Sequence, residues 1–187
     1  MAGFPPPETL GPRIMVLGPT NSGKSTLAET LGARLGVPAI HLDQLRHLPN
    51  TDWKQRPDAE FAALHDAAIA EPAWVMDGSY SALMPQRLAR TTGIIVLDDT
   101  LALRTLRYLR RCLSGTPRAG GLEGGRDSVK WEMLAWLWKT RDKAEGTRER
   151  VRTSGLPHVF CNNRRELGAL YEAWELDAIN PDQSSKS

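Results

Sequence analysis

Cysteine is scarce in this chain: there are two in 187 residues, Cys112 and Cys161, with neither metal-ligand nor CxxC spacing. That excludes a disulfide framework, a thiolate metal cluster and a dithiol redox motif, and both residues read as reduced thiols. Long apolar runs are also missing. No segment approaches the roughly 18 residues of a membrane span. The first twelve residues carry three consecutive prolines in place of the apolar stretch of a signal peptide. A cytoplasmic location without membrane contact is the expectation that follows. Net charge is almost absent, since 24 Lys and Arg against 22 Asp and Glu leave +2. So small a surplus does not make a general polyanion-binding surface, and nucleic acid is not the expected partner, although a local cluster would still suit phosphate. No internal repeat is visible.

The composition, 41% hydrophobic and 25% charged, is that of an ordinary globular protein. At about 150 residues per domain the length fits one domain with a decorated loop. The basic residues divide into 18 Arg and 6 Lys. That excess suits two-pronged phosphate recognition and equally suits a GC-rich coding bias.

Short apolar runs alternate with segments of helical period, the pattern of an α/β fold around a parallel sheet. Five strands are expected, at Arg13 to Leu17, Pro38 to Leu42, Trp74 to Asp77, Gly93 to Asp98 and Pro157 to Cys161. Each is nearly continuously apolar, as it must be when helices cover both faces. A first helix from Lys24 buries Leu27, Leu31 and Leu35. A second, from about Pro57 to Ala70, turns Phe61, Leu64 and Ala68 inward. After the fourth strand Thr100 caps a helix whose stripe is Leu103, Leu106, Leu109 and Leu113, with its arginines outward. The stretch from Ser114 to Gly125 holds five glycines and one proline, which suits a mobile loop. The last helix packs Leu167, Leu170, Tyr171 and Trp174. The expected organisation is a disordered arm over 1–12, a single domain over 13–177 with a lid at about 114–152, and a flexible tail over 178–187.

The decisive segment runs Gly18, Pro19, Thr20, Asn21, Ser22, Gly23, Lys24, Ser25 and satisfies GxxxxGK[ST] between a hydrophobic strand and an amphipathic helix. At this composition chance produces the pattern in roughly one chain in two hundred, and the strand-loop-helix context lowers that further. The glycines let the backbone curl so that its N–H groups and the helix N-terminus face phosphate oxygens. Lys24 then reaches the terminal phosphates, Ser25 ligates Mg²⁺, and Thr26 adds a donor. A nucleoside triphosphate, ATP in the first instance, and Mg²⁺ are the implied cofactors.

With this loop, four further motifs carry a resemblance: His41-Leu42-Asp43, Trp74 to Tyr80 (WVMDGSY), Ile94 to Asp99 (IIVLDD) and Arg107 to Arg111 (RYLRR), with Trp136 to Trp138 (WLW) and the C-terminal strand and helix beside them. Over Arg13 to Trp174 the chain resembles the adenylate kinase-like P-loop kinases, and in its ordered motifs the bacterial DNA topology modulation proteins. The resemblance implies a three-layer P-loop NTPase fold, a parallel sheet in order 2-3-1-4-5 and a mobile helical lid. It also implies that Asp77 stands near the Mg²⁺ and its waters, where similar kinases carry Asp-Gly-Phe-Pro-Arg; a turn residue before Gly78 is the other reading. Ser81 occupies the arginine position of that motif, and Arg87 is the candidate to replace it at the acceptor.

Asp43 closes the second strand at the carboxyl edge of the sheet, where ligands bind in such folds. It suits a base or a hydroxyl partner for the acceptor, as in similar small-molecule kinases, or a plain helix cap. His41 reads as structural. From Thr100 to Leu122 there is no acidic residue, while Arg104, Arg107, Arg110, Arg111 and Arg118 are present. Arg104, Arg107 and Arg111 share one helical face. The spacing of Arg107 and Arg111 matches the lid-edge arginines that stabilise phosphoryl transfer in similar kinases, with Arg141 closing from the far side of the loop. A solvated helix face is the alternative. Trp131 and Trp138 read as packing, and Asn162-Asn163-Arg164 lies where similar kinases contact adenine. The expected activity is transfer of the γ-phosphate to a nucleoside, nucleotide or related metabolite. The alternative is a nucleotide-dependent regulatory or DNA-associated ATPase with no small acceptor.

Overall fold

A computed structural model of the chain describes residues 3–51, 53–101, 103–106, 109, 121 and 143–176. Five parallel strands form one sheet in the order β2-β3-β1-β4-β5. They are β1 (Arg13–Leu17), β2 (Ala39–His41), β3 (Trp74–Asp77), β4 (Gly93–Leu97) and β5 (His158–Cys161). The connecting helices are α1 (Lys24–Leu35), α2 (Leu42–Arg46), α3 (Asp58–Ala70), α4 (Met84–Arg90), α5 (Lys143–Thr153) and α6 (Arg164–Ala173). Residues 101, 103–106 and 109 are also helical. The expected strands and sheet order are present, with β2, β4 and β5 trimmed by a residue or two.

Apolar side chains alternate across the sheet because successive strand residues point to opposite faces. Ile14 and Val16 join Leu27 and Leu31 of α1 and Leu170 and Trp174 at α6 in one core. Met15 and Leu17 join Leu42, Ile69 and Val151 in the other. Each fully buried leucine contributes about 1.5–3 kcal/mol. Val16 of the central strand is in register with both Asp77 and Ile95, so the carboxyl ends of β1, β3 and β4 meet at one edge. Among the described residues, no helix is long and apolar enough to cross a membrane.

Three expectations need correction. The inward stripe of α3 is Phe61, His65 and Ile69, whereas Leu64 is 36% exposed. His65 is fully buried, and burial lowers its pKa, which favours the neutral ring. After β4, Leu106 and Leu109 are exposed and Arg104 is buried, the reverse of the expected stripe, because the guanidinium reaches back to a loop carbonyl as described below. Within the arm expected to be disordered, the described residues 3–12 are packed, with Pro7 and Leu10 buried. Leu10 sits in the core against Gly93, where an added Cβ would lie 2.5 Å from its own Cβ. The Trp174 indole donates to the Pro5 carbonyl at 2.8 Å. The expected tail, and the lid apart from Gly121 and 143–152, lie outside the described residues.

Candidate phosphate-binding site

Between β1 and α1 the loop folds back over the helix N-terminus. Gly18 has φ +142°, and a Cβ there would lie 2.2 Å from the Leu97 carbonyl oxygen, so only glycine fits. Asn21 and Gly23 also take positive φ, +65° and +98°. Gly23 is the N-cap of α1, with no side-chain cap and no acidic residue in the first turn. The first amides of α1 and the positive end of its dipole are therefore unsatisfied from within the helix. The Ser22 hydroxyl is buried without a hydrogen-bond partner among the described residues. An orphaned buried hydroxyl beside an uncapped helix start is what a phosphate oxygen would satisfy. Lys24 Nζ donates to the Pro19 carbonyl at 2.8 Å, across the same loop. Pro19 and Thr20 are half-buried, and Thr26 is exposed.

Next on α1, Ser25 Oγ donates to Asp77 Oδ2 at 2.6 Å. Asp77 is the last residue of β3 and is buried. Its other oxygen, Oδ1, lies 2.7 Å from His41 Nδ1, and His41 Nε2 lies 3.2 Å from Glu29 Oε1. Burial acts to raise the Asp77 pKa. The hydrogen bond and charge of His41, then Ser25 and Lys24, outweigh it and hold the carboxyl below its ordinary value. Burial likewise acts to lower His41, and Asp77 and Glu29 outweigh it to leave the imidazole raised. The result is a buried, hydrogen-bonded pair in which both shifts favour the charged forms, with Asp77 also bonded to Ser25. Among the described residues no three His, Cys, Asp or Glu side chains gather as a metal cage. Ser25 and Asp77 offer two hard oxygens, the sparse set that suits Mg²⁺, which keeps its waters and shares phosphate oxygens.

Asp43 does not close β2. The strand ends at His41, and Asp43 lies in the first turn of α2, where its carbonyl accepts from His47 N and Nδ1. Its carboxylate is not a cap either: Oδ1 accepts from Tyr80 Oη at 2.6 Å. Gln44, the next residue, donates to the carbonyl of Gly121 at 3.0 Å, which brings one residue of the glycine-rich stretch onto α2.

Arg87 is fully buried. It donates through Nη2 to the carbonyls of Ser79 at 2.7 Å and Gly78 at 3.3 Å, and so clasps the loop after β3 from below. Burial pushes its pKa down to about 10, against the attraction of Asp77. Arg104 donates through Nε to the Thr20 carbonyl at 2.9 Å and ties the helix after β4 to the loop between β1 and α1. Arg107, Arg111 and Arg141, with Trp131, Trp136 and Trp138, lie outside the described residues. At the end of β5, Asn163 caps α6 by accepting from Glu166 N, while Asn162 accepts from Arg148 Nη2 at 2.9 Å.

Four contacts join residues that no sequence pattern pairs: Tyr80 on Asp43, His41 on Asp77, Arg104 on Thr20, and Arg148 on Asp98 at 2.8 Å. His41 and Tyr80 stand inside the HLD and WVMDGSY motifs, so their positions carry a signal although their partners do not. Arg104 and Arg148 were indistinguishable from neighbouring surface arginines.

No family model matches the chain, and no curated protein does. Among solved structures the chain is similar to a gluconokinase from Sinorhizobium meliloti 1021, at 16% identity over 89% of this chain and 91% of that one, with a TM-score of 0.56. A shikimate kinase from Bacteroides thetaiotaomicron aligns at 20% identity over 88% and 98% of the two chains, with a TM-score of 0.45. With its parallel sheet in order 2-3-1-4-5 and helices on both faces, this chain has the P-loop kinase fold.

Proposed function

We propose that the protein is an ATP- and Mg²⁺-dependent phosphotransferase of the adenylate kinase-like group, with motifs resembling the DNA topology modulation proteins, acting in the cytoplasm on a small acceptor. The observation that carries this reading is the Ser25 to Asp77 hydrogen bond beneath an uncapped α1, with Lys24 spanning the same loop. The loop from Gly18 to Thr26, through its backbone N–H groups (Pro19 has none), the Ser22 hydroxyl and Lys24, would hold the phosphates, and Ser25 and Asp77 the metal. Bound Mg²⁺ supplies charge compensation on the phosphate oxygens. His41 keeps the Asp77 carboxylate ionised and fixed in direction. Arg104 holds the loop through Thr20. Asp43 meets the acceptor, Arg87 supports the acceptor-side loop, and Arg107, Arg111 and Arg141 are assigned to charge stabilisation during transfer. Catalysis of this kind is positioning and electrostatics, which is what these residues supply.

The test is transfer from γ-labelled ATP with Mg²⁺ across nucleosides, nucleoside monophosphates, sugars, gluconate and shikimate, run beside Lys24→Ala. The gluconokinase likeness justifies the sugar acids in that panel. One labelled product that disappears in Lys24→Ala is expected. Hydrolysis with no labelled acceptor would contradict the proposal and favour a nucleotide-dependent regulatory ATPase.

A further inference from the structure

Tyr80 is held in an unusual way. Its φ is +28°, a region that side-chain-bearing residues rarely occupy and that persists only where surroundings over-determine it. Three contacts do so here. Arg87 spends a buried guanidinium on the carbonyls of Gly78 and Ser79 immediately before it. Gly78 packs so closely on Leu42 that a Cβ would come within 2.8 Å of it. The Tyr80 ring meets Phe61 edge to face at 5.1 Å. The outcome is one hydrogen bond, from Tyr80 Oη to Asp43 Oδ1 at 2.6 Å. Burial first, and the Asp43 charge second, raise the phenol pKa far above its ordinary value, so the hydroxyl stays a donor. Asp43 Oδ2 makes no hydrogen bond to a described residue.

Neither nearby arginine bonds to this pair. Arg46 is bonded to Asp58 and Gln55, both at 2.7 Å, and lies over the Phe61 ring. Arg87 faces the loop carbonyls. Among the described residues, then, the acceptor side presents a carboxylate with one oxygen open and no cation bonded to it. A dianionic phosphate would be repelled there, whereas a hydroxyl would be accepted.

We infer that the reacting group of the acceptor is an alcohol, and that Tyr80 is the positioning residue that fixes the Asp43 carboxylate to receive it; this rests on the phosphotransferase reading above. In transfer the acceptor oxygen bonds to the γ-phosphorus as the bond to the β,γ-bridging oxygen breaks. The hydroxyl proton passes to Asp43 Oδ2, and ADP leaves.

The test uses the full chain with γ-labelled ATP and Mg²⁺, offered polyols, sugar acids and nucleosides in one arm and nucleoside monophosphates in the other. Phosphorus NMR then distinguishes a phosphate ester from a phosphoanhydride. An ester is expected. Tyr80→Phe should lower kcat for that acceptor about tenfold to a hundredfold, the loss of one hydrogen bond to a charged group, with KM for ATP unchanged. Tyr80→Leu should lower kcat to the same degree and reduce stability as well, because it also loses the Phe61 contact. A phosphoanhydride product, or wild-type kcat in Tyr80→Phe, would overturn this inference alone. Label reaching neither class would overturn it together with the phosphotransferase reading.

Discussion

Replacing His41 by leucine should destabilise the protein more at about pH 6 than at about pH 9. His41 and Asp77 form a buried pair whose side chains are 6% and 8% exposed. Removing one partner leaves the other charge with Ser25 as its remaining neutral hydrogen-bond donor, and such losses cost about 3–5 kcal/mol. In a chain of this size each kcal/mol moves Tm by about 2–4 °C, so a fall of about 6–20 °C is expected. The sign of the pH effect follows from the two shifts. His41 is raised above its ordinary 6.5, so its stabilisation is complete below that value and is lost as pH rises through the folded-state pKa. Asp77 is lowered below its ordinary 3.8, so its stabilisation is present above that value and is lost as pH falls through the folded-state pKa. The pair is therefore at full strength from about pH 4 to about pH 6.5. The assay is thermal melting by circular dichroism in EDTA, for wild type, His41→Leu, Asp77→Asn and the double variant. The two losses should be strongly non-additive. An equal fall at both pH values, or additive single losses, would refute the reasoning.

Three further outcomes are expected. Gly18→Ala puts a Cβ 2.2 Å from the Leu97 carbonyl at φ +142°; it should cost about 1–3 kcal/mol and abolish ATP binding, and calorimetric binding at wild-type affinity would count against the loop assignment. Leu10→Ala, at a residue 1% exposed in the core, should cost about 2–5 kcal/mol; an unchanged denaturation midpoint would mean that the N-terminal segment is not part of the fold. Cys161 is buried, and burial pushes its thiol up to about 12. In a Cys112→Ser background it should resist a disulfide reagent until the protein is unfolded, and stoichiometric native labelling would show the burial to be wrong.

What could be read from the sequence was set by locality. β1, α1 and β3 have the expected boundaries because the signature loop and the Asp-Gly step mark their ends within a few residues. The strand order was accessible through the ordered motifs and not through any one strand. Local patterning misled on α3, where a polar label on His65 pushed the stripe towards Leu64. It misled again after β4, where four leucines in helical phase suggested a buried face that Arg104 occupies. The contacts that organise the site join residues distant in sequence: Ser25 to Asp77, His41 to Asp77, Tyr80 to Asp43, and Arg104 to Thr20. Composition and period contain nothing of such pairings. Asp43 shows both sides, since its neighbourhood at the carboxyl edge was legible while its place in α2 and its phenol partner were not.

Whether the loop, Ser25 and Asp77 hold Mg²⁺ and ATP together is measured most directly by the Kd for ATP with and without Mg²⁺. Wild type should bind ATP more tightly when Mg²⁺ is present, and Ser25→Ala and Asp77→Asn should lose most of that gain while remaining folded. An affinity indifferent to Mg²⁺ in the wild type, or a gain that survives in both variants, would contradict it.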